Sequence, residues 1–171
     1  VDKTTEADFS INLNEGKGNS LYRLLEIIDE SIWLYTLNIH FEKAALRHID
    51  IIFNWLQEKH IQDFWDNSQN HKDDILNFIH EKPQKYFAGT TKYWVGYVDD
   101  EPYAFILSDI LERNQTDLSE VHLANMSQTG HTISLDFGIG NKEYLGCGLG
   151  APTLSAFVTF YKNEVDNRSE E

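Results

Sequence analysis

The stretch that decides the fold is SLDFGIGNKEYLGCGLGAPTL, residues 134–154. It begins with the apolar alternation of a β-strand, continues through a glycine-rich loop and ends in an apolar pattern with helical spacing. Glycines at positions 146, 148 and 150 allow tight turns and close approach of a ligand, and Pro152 suits the first turn of a helix. Backbone N–H groups would then converge at the positive end of that helix, which favours a phosphate or pyrophosphate.

The glycine loop is not specific by itself. It is not a P-loop, because no Gly-Lys-Ser/Thr follows, and residues 146–150 lack the spacing of a dinucleotide-binding fingerprint. No strand–helix–strand unit with an acidic residue about 20 positions further on follows it either. From the residues alone, a glycine-rich connection that binds nothing remains an open alternative.

The rest of the chain predicts strands and helices around this segment. We expect strands at 33–41, 93–98, 103–107 and 131–139, and helices at 19–32, 44–56, 71–80 and 151–161. The acidic run at 99–102 is interpreted as a hairpin turn. Residues 67–70 and the polar stretch 112–130 are predicted as loops, with a short strand at 121–123 as an alternative. This order predicts one α+β or α/β domain, residues 33–171, after an N-terminal extension, residues 1–32.

The composition excludes several classes of protein. The 171 residues, 41% hydrophobic and 25% charged, fit one folded domain, and no apolar run reaches the roughly 18 residues that a membrane span needs. The formal net charge of −14 repels a phosphate backbone, so nucleic acid is excluded as a partner. The charge favours a cationic partner, and the alternative is that it only keeps the protein soluble. With one cysteine and no signal-peptide pattern, we expect a cytoplasmic protein.

Two other kinds of site find no support in the residue spacing. None of the histidines stands in a His-x-x-x-His or Cys/His arrangement, so no metal site is expected. The Gly-x-Ser-x-Gly motif of a nucleophilic serine is absent as well. The glycine loop is therefore the main candidate site.

The loop and its flanks resemble the GNAT superfamily of acetyl-CoA-dependent N-acetyltransferases, and most of all the aminoglycoside 6'-N-acetyltransferases and the related siderophore N-acetyltransferases. Residues 145–150, LGCGLG, are similar to the family's Gln/Arg-x-x-Gly-x-Gly/Ala loop, with Leu145 at the first position. Upstream, Trp55-Leu56, Phe64-Trp65 and the hairpin with Asp100-Glu101-Pro102 also match. The resemblance covers residues 33–161 and is strongest over residues 136–154.

The resemblance implies an α+β fold in which a mixed, mostly antiparallel sheet is flanked by helices. Relatives continue after the last helix with further strands and with a tyrosine that protonates the leaving thiolate. This sequence shows neither pattern, so we expect a GNAT-like domain without the usual C-terminal strands. Tyr144 and Tyr161 do not match the position of that tyrosine.

The resemblance also implies acetyl-CoA as the cosubstrate, without a metal. Strand residues Phe137, Gly138 and Ile139 would pair with its pantetheine arm. Loop amides would bind its pyrophosphate, from Leu145, Gly146, Cys147, Gly148, Leu149, Gly150 and Ala151. Cys147 stands where relatives carry Lys or Arg, and it is interpreted as a small filler residue, with a reactive thiol as the alternative.

Three further residues are implied to act on the acceptor. Asp136 occupies the place of a strand aspartate proposed as the general base in relatives. Because alternation puts it opposite the apolar residues of its strand, a solvent-facing acid without function is the alternative. Trp65 and Asp66 are the expected contacts to the acceptor, although Trp65 fits a core position equally well.

The sequence thus predicts an enzyme that transfers acetyl from acetyl-CoA to an amine of a cationic small molecule by direct attack. The resemblance favours the 6'-amino group of an aminoglycoside, and hence a part in antibiotic resistance. One alternative is a catalytically silent acyl-CoA-binding module of the same fold, and another is a hydroxylysine-type siderophore N-acyltransferase. We expect a monomer or homodimer with no nucleic-acid or membrane partner.

Overall fold

The computed structural model describes residues 37–85, 90–112, 118–128 and 132–166. The helix expected at 19–32, the start of the strand expected at 33 and the boundary after residue 32 lie outside the described residues. Within them, a strand and a group of helices come first, two long strands follow, and a strand, a loop and a helix end the domain.

In the described ranges, four strands form one sheet in the order β1-β2-β3-β4. They are β1 Ile39–Lys43, β2 Lys92–Val98, β3 Glu101–Leu111 and β4 Thr132–Ile139. All three strand pairs are antiparallel, with Val95 opposite Phe105 and Phe105 opposite Gly138. An antiparallel sheet with flanking helices confirms the predicted α+β fold. The first strand begins later than expected, at Ile39, and extends to Lys43.

The predicted hairpin between β2 and β3 is confirmed. Asp99 and Asp100 have φ of 47° and 67°, the left-handed backbone that two-residue hairpin turns require. The Asp99 carboxylate also accepts a hydrogen bond of 3.2 Å from the backbone N–H of Asn38. These acidic residues therefore build the turn, as interpreted from the sequence.

Five α-helices are described. They are α1 Ile49–Trp55, α2 Lys59–Gln62, α3 Gln69–Ile79, α4 Glu120–Asn125 and α5 Gly150–Phe160, with short 3-10 turns at Leu46–His48 and Lys142–Tyr144 and a π-helical end at Tyr161–Asp166. None of these helices is both long and apolar enough to cross a membrane. The expected helices at 44–56, 71–80 and 151–161 are thus present with shifted ends.

Two local expectations are wrong for the same reason. Helix α3 begins at Gln69, inside the loop expected at 67–70, because the Ser68 hydroxyl accepts from the N–H of His71 at 3.2 Å. Residues 121–123 lie in helix α4 and not in a strand or loop, because Ser119 caps that helix in the same way. In both places a serine satisfies a free N–H of the first turn and so allows a helix to start.

Apolar layers cover both faces of the sheet. On one face, helices α1–α3 pack on Tyr93 and Phe105, whose rings stack with centroids 5.8 Å apart. On the other, Phe157 of α5 meets Phe41 with ring centroids 5.0 Å apart. The odd-numbered residues of β4 pack against the α5 cluster: Ile133, Leu135 and Phe137. Because strand side chains alternate, the even-numbered residues of β4 face the side of α1–α3.

The approach of α1 to the end of β4 gives a stability test. A Cβ built on Gly140 would lie 2.2 Å from ring atoms of the buried Trp55. We expect Gly140→Ala to lower the free energy of unfolding by about 1–3 kcal/mol, since the indole must move. Gly150→Ala is the control, because its Cβ would lie 3.8 Å from Phe137, an ordinary contact. Equal urea unfolding curves for the two variants would contradict this packing.

Candidate functional site

Tyr103 of β3 fixes both ends of the glycine-rich loop. Its backbone carbonyl accepts hydrogen bonds from the N–H groups of Gly140 at 2.8 Å and Asn141 at 3.1 Å, just after β4. Its hydroxyl lies 2.6 Å from the Thr153 hydroxyl, which donates to the carbonyl of Leu149 at 2.6 Å. Burial raises the pKa of Tyr103, so this hydroxyl stays protonated. The loop is thereby held between the end of β4 and the start of α5.

The loop presents backbone N–H groups that the described part of the protein does not use. Gly146 and Gly148 have φ of 76° and 74°, a conformation that side chains disfavour. Among the described residues, no N–H group from 146 to 151 donates a recorded hydrogen bond. Helix α5 has no side-chain N-cap and no acid in its first turn. Unused donors at the positive end of an 11-residue helix suit an anion.

The outer edge of β4 lies beside this loop. In an antiparallel pair, every second residue turns its N–H and C=O groups toward the neighbouring strand. Because the N–H of Gly140 donates to Tyr103 of β3, the same groups of Gly138 and Asp136 also face β3. The same groups of Phe137 and Ile139 point away from β3. Within the described residues no further strand covers this edge. The edge can therefore pair with an extended ligand that carries amide groups.

A cleft of about 260 Å³ joins the strand, the loop and helix α2. It is lined by His60, Ile61, Phe64, Trp65, Phe137, Gly138, Ile139, Leu145 and Gly150. Among them are Trp65 and five strand and loop residues expected from the sequence. Trp65 is half-buried and its ring also packs on Phe105 with centroids 5.1 Å apart, so it serves both the cleft and the core.

Cleft residues on α2 and just after it were not predicted from the sequence. His60 and Ile61 line the cleft, and Phe64 does so while 87% exposed. The Nε2 atom of His60 lies 2.9 Å from the carbonyl oxygen of Ile139. The only sequence signal for these residues was that they lie close to Trp65 along the chain. A local pattern cannot show that His60 contacts a strand residue 79 positions away.

Asp136 is exposed and does not line the cleft, but it shares a face of β4 with Gly138. It stands opposite Leu107, which makes Asp109 its diagonal neighbour on β3. Burial raises the pKa of Asp109, and the charge of Asp136 raises it further. One Asp109 carboxylate oxygen is buried and accepts no hydrogen bond from the part of the chain that the structure describes. Asp109 was not predicted as a site residue, because in the sequence it comes just after the apolar run of a strand.

Two expected residues lie apart from the cleft lining. The Asp66 carboxylate accepts hydrogen bonds from the N–H and hydroxyl of Ser68, at 2.8 and 2.6 Å, and so helps to start α3. Cys147 is exposed, with its Sγ 3.6 Å from the carbonyl oxygen of Glu143. A contact of Asp66 with an acceptor and the role of Cys147 stay predictions.

Other sites receive little support. No group of three His, Cys, Asp or Glu residues in the described ranges could hold a metal ion. A larger cleft of about 560 Å³ lies between α3 and residues 82–85, but none of the expected site residues lines it. Its lining includes Asp74, whose carboxylate accepts two hydrogen bonds from the N–H of Lys85 and thus holds that segment.

Comparison with known proteins supports the fold. The sequence matches no protein-family profile and no curated protein. An aminoglycoside N(6')-acetyltransferase from Legionella pneumophila subsp. pneumophila str. Philadelphia 1 is similar in structure, with 18% identity, a TM-score of 0.55 and coverage of 75% of this chain and 65% of that chain. The chain has a GNAT-type fold. This confirms the fold that the resemblance over residues 33–161 implied.

Two more solved structures agree. An uncharacterized protein from Bacillus halodurans has 21% identity and a TM-score of 0.57, over 78% of this chain and 64% of that chain. The aminoglycoside acetyltransferase AAC(6')-Ib in complex with coenzyme A and kanamycin has 16% identity and a TM-score of 0.53, over 74% of this chain and 69% of that chain. The GNAT-fold chain described here spans less than two thirds of the length of the first two.

The raised pKa of Asp109 predicts how stability depends on pH. A carboxyl whose pKa is higher in the folded state binds its proton more tightly there, so its ionisation lowers stability as pH rises past the unfolded value of about 3.9. We expect Asp109→Asn to raise the Tm at pH 7, with a smaller gain at pH 4. The exposed Asp63→Asn is the control. A variant less stable than the parent at pH 7 would contradict this account.

Proposed function

We propose that the chain is an acetyl-CoA-dependent N-acetyltransferase that acts on an amine of a cationic small molecule, with aminoglycosides as the acceptor class. The observation that carries the proposal is the set of unused N–H groups from 146 to 151, at the start of α5 and beside the outer edge of β4. One ligand can occupy both features only if it joins a phosphate group to an extended amide chain. Coenzyme A is such a molecule.

The chain's own residues fit that cosubstrate. The amides from Gly146 to Ala151 would hold the pyrophosphate with fixed dipoles, which need no cationic side chain in a protein of net charge −14. The N–H of Leu145, also expected to bind it, donates instead to the carbonyl of Lys142 at 3.1 Å, so Leu145 would contribute its side chain to the cleft. The outward backbone groups of Phe137 and Ile139 would pair with the pantetheine arm. Gly138 contributes differently, because its backbone faces β3 and a Cβ there would lie 2.8 Å from Ile61. When bound, acetyl-CoA supplies an acetyl thioester.

Asp136 would prepare the acceptor. A protonated amine is not nucleophilic until it loses a proton, and an exposed carboxylate can bind the ammonium group and then take that proton. Asp109, its diagonal neighbour, adds negative charge that attracts a cation to the same face of the sheet. The outward N–H groups at the edge of β4 would stabilise the negative charge that develops on the attacked carbonyl oxygen.

The choice of aminoglycosides follows the solved neighbours and the charge. AAC(6')-Ib has been solved with kanamycin and, in a further structure, with ribostamycin. Aminoglycosides carry several positive charges, which suits a chain with net charge −14. A siderophore amine carries less charge and draws less support from this surface. A part in antibiotic resistance and a cytoplasmic location follow as expectations.

Blocking the loop tests the cosubstrate site. We expect Gly148→Glu to weaken CoA binding at least about tenfold, because the new side chain and its charge occupy the space of the pyrophosphate and repel it. Ser155→Glu adds the same charge on an exposed position of α5 outside the loop and should change affinity about twofold or less. Calorimetric titration with CoA measures both. Equal CoA affinity of Gly148→Glu and the parent would contradict the proposed cosubstrate site.

Removing the proposed base tests the reaction. We expect Asp136→Asn to reduce kcat/KM about 100-fold or more for kanamycin, the range that general bases supply, with unchanged CoA affinity. Release of CoA thiol from acetyl-CoA gives the rate, and the exposed Asp63→Asn is the matched control. If the parent binds CoA but none of the amines offered causes release of thiol, the result would instead support the silent acyl-CoA-binding module. Release only with a hydroxylysine-type amine would support the siderophore alternative.

A further inference from the structure

Three polar side chains lie together on the face of the sheet that packs against α1–α3. Leu107 of β3 stands between Tyr93 of β2 and Asp136 of β4 and is opposite both in the strand register. Asp109 is the next residue of β3 on this face, which makes it the diagonal neighbour of Tyr93 as well as of Asp136. Because Asp136 is exposed and Asp109 is half-buried, the group extends from the surface into the core.

Two oxygen atoms of this group are buried and make no hydrogen bond with the described part of the chain. They are one carboxylate oxygen of Asp109 and the hydroxyl oxygen of Tyr93, a residue that is fully buried. The side chain of Thr91 hydrogen-bonds to Asp109, which still leaves that one oxygen unpaired. Burial and the charges of Asp74 and Asp109 raise the pKa of Tyr93, so its hydroxyl stays protonated and lies within the field of the Asp109 carboxylate.

A cationic amine can satisfy both oxygen atoms. A carboxylate oxygen only accepts hydrogen bonds, a phenol oxygen can accept one, and an ammonium group has three donors and no acceptor. Among the described residues, no Lys, Arg or His forms an ion pair with Asp109, and a buried carboxylate without a counter-charge is costly. A bound ammonium group would therefore make a charge-assisted hydrogen bond where the protein itself supplies no positive charge.

We propose that Asp109 is a specificity-determining residue that binds a second ammonium group of the acceptor, with the Tyr93 hydroxyl as a further ligand, while Asp136 takes the amine that reacts. This rests on the proposed function. Diagonal neighbours on adjacent strands are about 7–8 Å apart, so the two cationic groups of the acceptor should be separated by a similar distance. The site thus selects diamines and polyamines over monoamines.

The acidic surface as a whole cannot produce this selectivity. Attraction by the net charge of −14 acts on every cation, and salt screens it over about 10 Å at 0.1 M. A partly buried carboxylate is screened much less and acts on one group of the ligand. The contribution of Asp109 should therefore persist at high salt and depend on a second amine in the acceptor.

The kinetic test compares two acceptors. Kanamycin carries several amines, whereas methyl 6-amino-6-deoxyglucoside carries only the one that reacts. We expect Asp109→Asn to raise the KM for kanamycin about tenfold or more, the effect of a lost hydrogen bond to a charged group, with a smaller change in kcat. The KM for the monoamine should not change. Asp50→Asn removes the same charge at an exposed position of α1 and should change neither value.

Tyr93→Phe gives a second variant in the same site. Its hydroxyl makes no hydrogen bond within the described residues, so the variant should fold, and its KM for kanamycin should rise by less than that of Asp109→Asn. Calorimetric titration of kanamycin into the CoA-saturated protein gives a readout without turnover. The Kd for kanamycin should rise in both variants, at low and at high salt, while the Kd for CoA stays that of the parent.

Several results would overturn the role of Asp109. One is an unchanged KM and Kd for kanamycin in Asp109→Asn, and another is an equal rise in KM for both acceptors. A third is a kanamycin complex in which only a water molecule meets the two buried oxygens. If the monoamine reacts too slowly for a KM, the Kd values for kanamycin decide.

The outcome separates this inference from the proposed function. A parent that fails to bind CoA overturns the proposed function, and the inference with it. A parent that binds CoA and acetylates kanamycin, with an Asp109→Asn variant of equal kanamycin affinity, overturns the role of Asp109 alone.

Discussion

The site depends on one residue of the central sheet, Tyr103. Its carbonyl holds the chain as it leaves β4, and its hydroxyl holds the first turn of α5 through Thr153. All three hydrogen bonds are made by a residue that is fully buried, where leaving a polar group without a partner would cost stability. The glycine-rich loop between these two anchors can therefore be exposed and still keep its N–H groups converging.

Such a loop resolves an electrostatic difficulty. A chain with net charge −14 repels anions at long range, and the basic residue that precedes the loop most closely in sequence, Lys142, is paired with Glu58. Fixed peptide dipoles act only at close range, so they could bind a diphosphate without neutralising the acidic surface that would attract a cationic acceptor. In the proposed function the backbone would recognise the anion, and carboxylates such as Asp136 and Asp109 would recognise the cation.

Local patterns were sufficient for much of this fold. The alternation in β4, the glycine run and the apolar spacing of α5 each depend on neighbours within a few residues, and the structure has all three. The acidic hairpin turn is local too. The failures at Gln69 and at residues 121–123 are also local, and they show that one serine hydroxyl at an N-cap can outweigh the β-branched or polar character of the residues that follow.

The remaining features depend on contacts between distant residues, which no local pattern encodes. The glycine run illustrates this, since it combines two requirements that look identical in sequence. Gly146 and Gly148 provide positive φ in the loop, whereas Gly138 and Gly140 make room for Ile61 and Trp55. The second pair lets α1 and α2 approach the strand closely enough for His60 to reach Ile139. The absence of a side chain at Gly138 in β4 and at Gly140 just after it thus determines where the cleft wall stands, and with it which residues can meet a ligand there.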